Sequence, residues 1–579
     1  MKNIRAQIFW LNLFKTYKSG LILALVIGIV VIADLLFYQL VYRPLLSTNF
    51  TNVEKTRKMI EGGNIISFAP EAWLSLLGLV LGTLIIVISV ASQSTPKLID
   101  LYTGDQTSLW YIWYIVVGSV HNMTLQLYSS SFTIGPGKVL SDILLNTYLM
   151  LPLALLLAVP YVLYILRYTK TSNVINKIFT DNIRRIQELP SYAAVGLLGD
   201  KKLRERIQFE MFESLNQLDD LLEYVSFKDP KGDIMNKISL LLQEYAAIKA
   251  QVKGHCPDFF LISPRIRQDV SFKTMTGQFD EMEKGATFYE QKGFRLLGNA
   301  YIKLIENEDF DLASLCASEL AECGHAAIKY EDFALINVVL IRFNTLLRFG
   351  IKHGLKNKEA RNLYNAIFHY CEFIRYIVES KNRELIDKSC RYLNIYINEI
   401  YQHSRKERSF GFLVDVFTWE FKRVLIALNE NGIEIEQQKE ILSYFLKIDN
   451  LSDAYEETPL KGRKFSSGIR GMQISLALYY LSTSKQSLAE SIIIDILNDH
   501  EFMDRETLRK EVSAAGERLK NQSRTFWEDT DRGNLNLYYT EDTRYMAVFL
   551  ELFENMLESF TFLTRKVRPL APGDQETSS

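Results

Sequence analysis

Four polar residues inside long apolar runs are the side chains of this sequence best placed to do chemistry. Asp34, His121, Asn122 and Asn146 each lie in a stretch long enough to cross a bilayer. Ionisable and amide groups are costly in lipid, so they usually face a bundle interior or a cavity and often line ion or proton paths. We expect Asp34 to face the bundle, a water-filled cavity or a partner such as His121. The alternative is a protonated Asp34, or one that reaches toward the headgroups, without a role.

A second polar set follows the second apolar run. Ser92, Gln93 and Thr95 can satisfy backbone groups freed at the end of a membrane helix, Pro96 fixes the turn and Lys97 marks the cytoplasmic boundary. A helix stop and interface anchor is one interpretation of these residues. A gate or a ligand contact is the other.

The same segment resembles an uncharacterised family of bacterial multi-pass membrane proteins, a domain of unknown function. Members carry Ser-Gln-x-(Ser/Thr)-Pro-(Arg/Lys)-Leu after their second span, and residues 92–98 here read Ser-Gln-Ser-Thr-Pro-Lys-Leu. This chain lacks the aromatic residue expected at Ser94, and its C-terminal part is longer. The resemblance implies the order span, motif, span, extracytoplasmic loop, span and helical cytoplasmic region, through Ile186, and no activity.

A basic segment rich in small residues precedes the apolar run at 472–481. Cationic side chains beside a helix N-terminus can hold a phosphate or an acidic lipid headgroup. A flexible basic linker is the alternative. The candidate anion ligands are Lys461, Arg463, Lys464, Ser466, Ser467 and Arg470.

Signatures of catalysis are missing from the sequence. It contains no Gly-x4-Gly-Lys-(Ser/Thr), Gly-x-Gly-x-x-Gly, His-Glu-x-x-His or Gly-x-Ser-x-Gly motif. The 5 cysteines are odd in number and scattered, which favours free thiols. Cys316 and Cys323, two helical turns apart, suit core packing better than a metal site with His325. We therefore expect no enzyme activity, no metal and no cofactor.

The elements that must position Asp34 and its neighbours are four apolar runs, at 21–41, 73–90, 109–127 and 144–166. Each can span a hydrocarbon core of about 30 Å, the third being interrupted by polar residues in its second half. Trp73, Trp110 and Trp113 lie at or near the ends, as in an aromatic belt. Ten Lys and Arg flank one side and five the other. Both termini are thus predicted to be cytoplasmic. The resemblance carried by residues 92–98 implies a bacterial inner membrane.

The remainder of the chain differs in composition and periodicity. Residues 1–170 carry 12 Lys and Arg against 7 Asp and Glu, and the rest carries 54 against 61. Helical periodicity runs almost throughout 171–567, and Asp309-Phe310 and Asp332-Phe333 open successive helices 23 residues apart. The predicted fold is all-α. It comprises a four-span domain (1–170), a cytoplasmic, irregular solenoid-like domain (171–567) and a disordered tail (568–579).

These features favour a homo-oligomeric plasma-membrane protein, with the lipid bilayer as its first partner. Its cytoplasmic helices would assemble, sense or recruit a protein partner, because helical solenoids mostly bind rather than catalyse. The alternative is an ion channel or transporter gated by those helices, with Asp34 in the conduction path. Near-neutral net charge, −2 overall, argues against nucleic acid as a partner.

Overall fold

The computed structural model describes residues 18–44, 65–94, 106–131, 136–168, 170–273, 275–359, 361–404, 407, 410–448, 467–499, 504–524 and 536–560. Over these ranges the regular structure is helical without any β-strand, which confirms the predicted all-α class. The chain divides into two compact units, Met1–Gly293 and Phe294–Ser579. The predicted domain boundary at 170 falls inside the first unit and stays a prediction. The predicted tail, 568–579, lies outside the described residues.

The first unit begins with helices that contain the predicted spans. Their bounds are α1 Lys18–Phe37, α2 Ile65–Ser94, α3 Gln106–Ser131, α4 Pro136–Leu145 and α5 Leu151–Tyr168. A π-helical turn, Tyr38–Tyr42, extends α1, and another, Asn146–Met150, joins α4 to α5. Helix α3 contacts each of the other four, so it holds the group together.

Four helical stretches are long and apolar enough to cross a membrane: Lys18–Tyr42, Ala69–Ile86, Lys138–Ile165 and Phe333–Asn357. Three of them match predicted spans. The predicted third span, 109–127, forms the 26-residue helix α3, but its polar second half makes it less apolar than the others. Phe333–Asn357 was not predicted as a span. Within its most apolar 18 residues, 61% are buried in the protein, against 22–33% in the other three stretches. A helix buried to this extent is typical of a protein core.

The rest of the first unit is a compact helical group. It comprises α6 Thr171–Ala194, α7 Lys201–Tyr224, α8 Lys228–His255, α9 Pro264–Arg267, α10 Phe279–Gly285 and the start of α11 Phe288–Glu306. Phe212 lies at its centre, with Phe272 and Phe288 at ring-centroid distances of 5.6 and 5.8 Å. A buried ion pair, Lys249 Nζ to Glu290 Oε1 at 2.8 Å, joins α8 to α11.

The second unit is a two-layer stack of helical hairpins. Its helices are α12 Phe310–Lys329, α13 Phe333–Asn357, α14 Arg361–Glu379, α15 Arg383–Ser404, α16 Gly411–Glu430, α17 Ile435–Leu446, α18 Ser467–Ser482, α19 Gln486–Asp499, α20 Arg505–Lys520 and α21 Met546–Ser559. Helices α12, α14, α16 and α18 pack successively in one layer, and α13, α15, α17 and α19 in the other. Each helix also packs against its hairpin partner, which is how repeat units bury faces that none could bury alone.

A recurrent turn explains the imperfect repeat in the sequence. Glu308 and Glu331 both adopt left-handed backbone conformations, with φ of 61° and 54°. The N–H of the next residue, Asp309 or Asp332, donates to the carbonyl five residues earlier at 2.8 and 2.9 Å, which closes the preceding helix. Phe310 and Phe333 then begin α12 and α13, as predicted.

A buried lysine links two helices of one layer. Lys422 on α16 donates from Nζ to Oγ of Ser475 on α18 at 2.7 Å. Burial lowers the pKa of Lys422 to about 8, and the charge of Asp542 opposes that shift. The folded protein therefore holds a proton on this amine less tightly than the unfolded chain does.

We predict that the contribution of Lys422 to stability, taken as the difference between the wild type and Lys422→Met, becomes more favourable with pH from about 8 to about 10.5, since the burial cost is complete below the folded pKa and vanishes above the unfolded one. Lys422→Met should stabilise the protein at neutral pH by about 1 to 3 kcal/mol. Denaturant unfolding of the full chain at several pH values measures both effects. Lys447→Met, at an exposed position, is the matched control; a Lys422→Met profile identical to the control would refute the prediction.

Candidate functional site

Two titratable side chains meet inside the helices α1 to α5. Asp34 on α1 is 7% exposed, and its Oδ2 lies 3.3 Å from Nε2 of His121 on α3. This is an ion-pair distance without the geometry of a hydrogen bond. Asp34 thus lies buried beside His121, the partner named from the sequence, and its role stays a prediction.

A second carboxylate, Asp142 on α4, joins this pair. It lies close enough to Asp34, His121 and Lys138 for their charges to interact. Sequence analysis missed it because the fourth span was taken to begin at 144, whereas the apolar helical stretch begins at Lys138. The available signal was the spacing to Asn146, four residues and about one helical turn away. Asp34 is thus not alone among carboxylates in these helices.

An amide oxygen beside the cluster ties three helical segments together. Oδ1 of Asn146 accepts hydrogen bonds from Nε1 of Trp73 on α2 and Nδ2 of Asn122 on α3, both at 2.6 Å. Asn146 is fully buried and is the first residue of the π-helical turn between α4 and α5. Such turns are frequent at functional sites. The predicted residues Asn122 and Asn146 are therefore in direct contact, and His121 is the chain neighbour of Asn122.

Trp73 has a different place from the one predicted. It is 0% exposed and packs within the helices rather than at a lipid-facing end, so its assignment to an aromatic belt is wrong. Gly118 on α3 makes room for its ring, since a Cβ atom there would lie 2.5 Å from the indole. The indole N–H requires a buried acceptor, which Asn146 supplies.

Two tyrosines set the register of α3 against the segment that follows Asn146. Tyr114 Oη donates to the carbonyl of Met150 at 2.8 Å, and Tyr111 Oη to that of Ala154 at 2.9 Å. The two donors lie three residues apart on α3, and the two acceptors lie four residues apart on the facing segment. Each pair thus spans about one helical turn. These bonds hold α3, and with it His121 and Asn122, in place.

The helix-end motif cannot be compared with the structure. Helix α2 is described as far as Ser94, but the side chains of Ser92 and Gln93 are not, and Thr95, Pro96 and Lys97 lie beyond the described ranges. Its role as a helix stop, gate or ligand contact stays a prediction.

The predicted anion site is described at one residue. Lys461, Arg463, Lys464 and Ser466, with the side chain of Ser467, lie outside the described part of the chain. Arg470 is buried on α18, where Nη1 donates to Oδ2 of Asp495 at 3.0 Å and Nη2 to Asp499. Because its guanidinium faces two carboxylates, Arg470 fits a helix-packing role rather than an anion ligand.

The cysteines behave as core residues. None of the five cysteines forms a disulfide, and Cys316, Cys323, Cys371 and Cys390 are buried. Burial raises the pKa of Cys390 to about 12, so its thiol stays protonated near neutral pH. His325 stacks on Tyr376 with ring centroids 4.2 Å apart. Within the described ranges, no group of three or more His, Cys, Asp or Glu could hold a metal ion.

We predict that Asn146→Ala destabilises the helices α1 to α5 more than Asn122→Ala. The first substitution strands two buried donors, on Trp73 and Asn122, at about 1 to 3 kcal/mol each, whereas the second leaves the Trp73 bond intact. Thermal unfolding in detergent, followed by near-ultraviolet circular dichroism, measures the difference. Equal losses of thermal stability in the two variants would show that the Asn146 oxygen contributes nothing beyond its bond with Asn122.

Comparisons with known proteins add little to this geometry. No family model and no curated protein matches the chain. One solved structure, a circular tandem repeat protein with novel repeat topology and enhanced subunit contact surfaces, aligns over 93% of this chain and 97% of its own, at 12% identity and a TM-score of 0.36. A TM-score this low carries no conclusion about fold or function, and the resemblance of residues 92–98 to a bacterial membrane-protein family stays a prediction.

Proposed function

We propose that this chain is an integral membrane protein in which α1 to α5 supply four crossings and the hairpin repeat serves, in the cytoplasm, as a platform for assembly or partner recruitment. One observation carries the membrane part of this proposal. The helices α1 to α5 expose large aliphatic side chains while they bury carboxylate, amide and hydroxyl groups. Such a distribution is the reverse of that in a water-soluble bundle.

The exposed apolar side chains are spread over the whole helical group. Leu40 beyond α1 and Leu156 on α5 are each 70% exposed, and Leu127 on α3 is 68% exposed. Soluble monomers rarely leave contiguous apolar surface of more than a few hundred Å² in water. Lipid supplies an apolar solvent for this exterior, while the polar groups find one another inside.

Helix α3 fits as a crossing despite its modest hydropathy. Its polar residues Ser119 and Asn122 are buried, and the intervening Val120 is exposed. Ser119 Oγ donates to the carbonyl of Ile115, one turn earlier, at 2.8 Å, so its hydroxyl is satisfied within the helix. Ser119 and Asn122 thus face inward, and the exposed Thr124 satisfies its hydroxyl within the helix by donating to the carbonyl of Val120 at 2.8 Å.

Helix α13, although apolar, fits the water-soluble repeat better than the bilayer. It packs against α12, α14 and α15 within the second unit. It carries Arg342, whose pKa is lowered to about 10 by burial and by the neighbouring charge of Arg295 on α11. The proposal therefore keeps four crossings and both termini on the cytoplasmic side, where the Lys and Arg excess lies.

The repeat suits binding more than catalysis. Stacked helical hairpins present extended surfaces, and partners of such arrays are usually proteins, including further copies of the same chain. A cytoplasmic protein or a homo-oligomer is thus the proposed partner, and an enzymatic role is not proposed.

We predict that the full chain remains in the membrane pellet after alkaline carbonate extraction. In a variant without native cysteines, Thr133→Cys should react with a membrane-impermeant maleimide in intact cells, because residues 132–135 join the third and fourth crossings outside. Lys97→Cys, in the loop between the second and third crossings, should react only after permeabilisation. Extraction by carbonate would exclude insertion, and the opposite labelling pattern would invert the topology.

A second candidate function is ion or proton transport, and the Asp34, His121 and Asp142 cluster is the observation that favours it. We predict that protein reconstituted in liposomes passes cations or protons, and that Asp34→Asn abolishes this flux because the carboxylate lies in the path. Glu71→Gln, at an exposed carboxylate on α2, should leave the flux unchanged. If the wild type passes no ion, transport is excluded. The four crossings then serve only as a membrane anchor for the repeat.

A further inference from the structure

We propose that Asp34, His121 and Asp142 form one proton-binding site, in which Asp142 takes up the exchangeable proton while Asp34 stays paired with His121. This inference rests on the proposed membrane insertion of α1 to α5. It goes beyond a conduction path through Asp34 because it assigns a bound ligand, the proton, and the group that carries it.

The two carboxylates have unequal surroundings. Asp34 has the imidazole of His121 at 3.3 Å, which can balance its charge as an imidazolium. The charges that act on Asp142 come from Asp34 on α1, His121 on α3 and Lys138 on its own helix. Lys138 is exposed, one turn before Asp142. On α2, Glu71 is also exposed, and the buried neighbour of the site is the neutral Trp73.

Each of the two carboxylates keeps one buried oxygen without a hydrogen-bond partner. These atoms are Oδ1 of Asp34 and Oδ1 of Asp142, and Nε2 of His121 and the hydroxyl of Ser141 are unpartnered as well. Unpartnered buried acceptors are costly, and charged ones more so. A proton on Asp142 removes one negative charge and lets its carboxyl group donate a hydrogen bond.

The charge balance leads to the same residue. Two carboxylates share one imidazole in a largely apolar surrounding, and that imidazole lies 3.3 Å from Asp34. Uptake of one proton by Asp142 removes one of the two negative charges and leaves the contact between Asp34 and His121 in place. Because the charges of Asp34 and His121 act on Asp142, substitution of either residue should shift the midpoint of proton uptake.

The site is placed to affect helix packing. Asp142 precedes Asn146 by about one turn, and His121 precedes Asn122 by one residue. Asn122 and Trp73 both donate to Asn146, so the proton site is joined to the contact among α2, α3 and the π-helical turn. Proton occupancy therefore changes the charge of a cluster that packs directly beside that contact.

Infrared difference spectroscopy of the full chain in lipid nanodiscs tests this site. Between about pH 9 and about pH 5, a carbonyl band of a protonated carboxyl group should appear in addition to the contribution of surface carboxylates, which begin to protonate near pH 5 in the wild type and the variants alike. Asp142→Asn should abolish the band. Asp34→Asn should lower its midpoint because a negative neighbour is removed, and His121→Gln should raise it because a positive one is removed. Glu71→Gln is the matched control and should change neither.

A wild-type protein without the band, or a band that survives Asp142→Asn, would overturn the proton site. Should Asp142→Asn fail to fold, as judged by gel filtration, the midpoint shift in Asp34→Asn decides instead, and an unshifted midpoint counts against the site. Carbonate extraction of the same wild-type preparation separates the two proposals. A chain that stays in the membrane but lacks the band loses only the proton site, whereas a chain that is extracted loses the membrane proposal and the inference built on it.

Discussion

The amide oxygen of Asn146 is the contact on which the helices around Asp34 depend. It accepts from Trp73 and Asn122 at 2.6 Å each and thereby joins α2 and α3 to the π-helical turn between α4 and α5. In an apolar surrounding a buried donor cannot form a hydrogen bond with water instead. Loss of either bond would therefore leave its donor unsatisfied. Gly118, which admits the Trp73 ring, and the Tyr111 and Tyr114 hydroxyls support the same register.

The same constraint accounts for the position of the charged groups. Asp34, His121 and Asp142 come from α1, α3 and α4, whose packing is set by the apolar contacts and the Asn146 bonds around them. Each would be unfavourable alone in an apolar surrounding, and each has another within reach of its charge. The proposed proton site uses this geometry together with the unpartnered oxygens of the two carboxylates.

The second unit follows a different physical rule. Its helices bury apolar faces against neighbours in two layers, and left-handed turns at Glu308 and Glu331 reverse the chain in the same way each time. Polar groups are buried here too, and some of them form paired networks such as Arg470 with Asp495 and Asp499. Such networks hold neighbouring helices of the stack together.

Apolar run length and helical periodicity determined the all-α class, three of the apolar helical stretches and the helix starts at Phe310 and Phe333, because these depend on local spacing along the chain. The cost of a lone charge in an apolar run also suggested His121 as a possible partner for Asp34. Tertiary structure alone decided that Asp142 joins this pair, that Trp73 is buried and that Arg470 faces two carboxylates. These facts depend on which helix faces pack together, and residues more than twenty positions apart in sequence meet only once that packing is set.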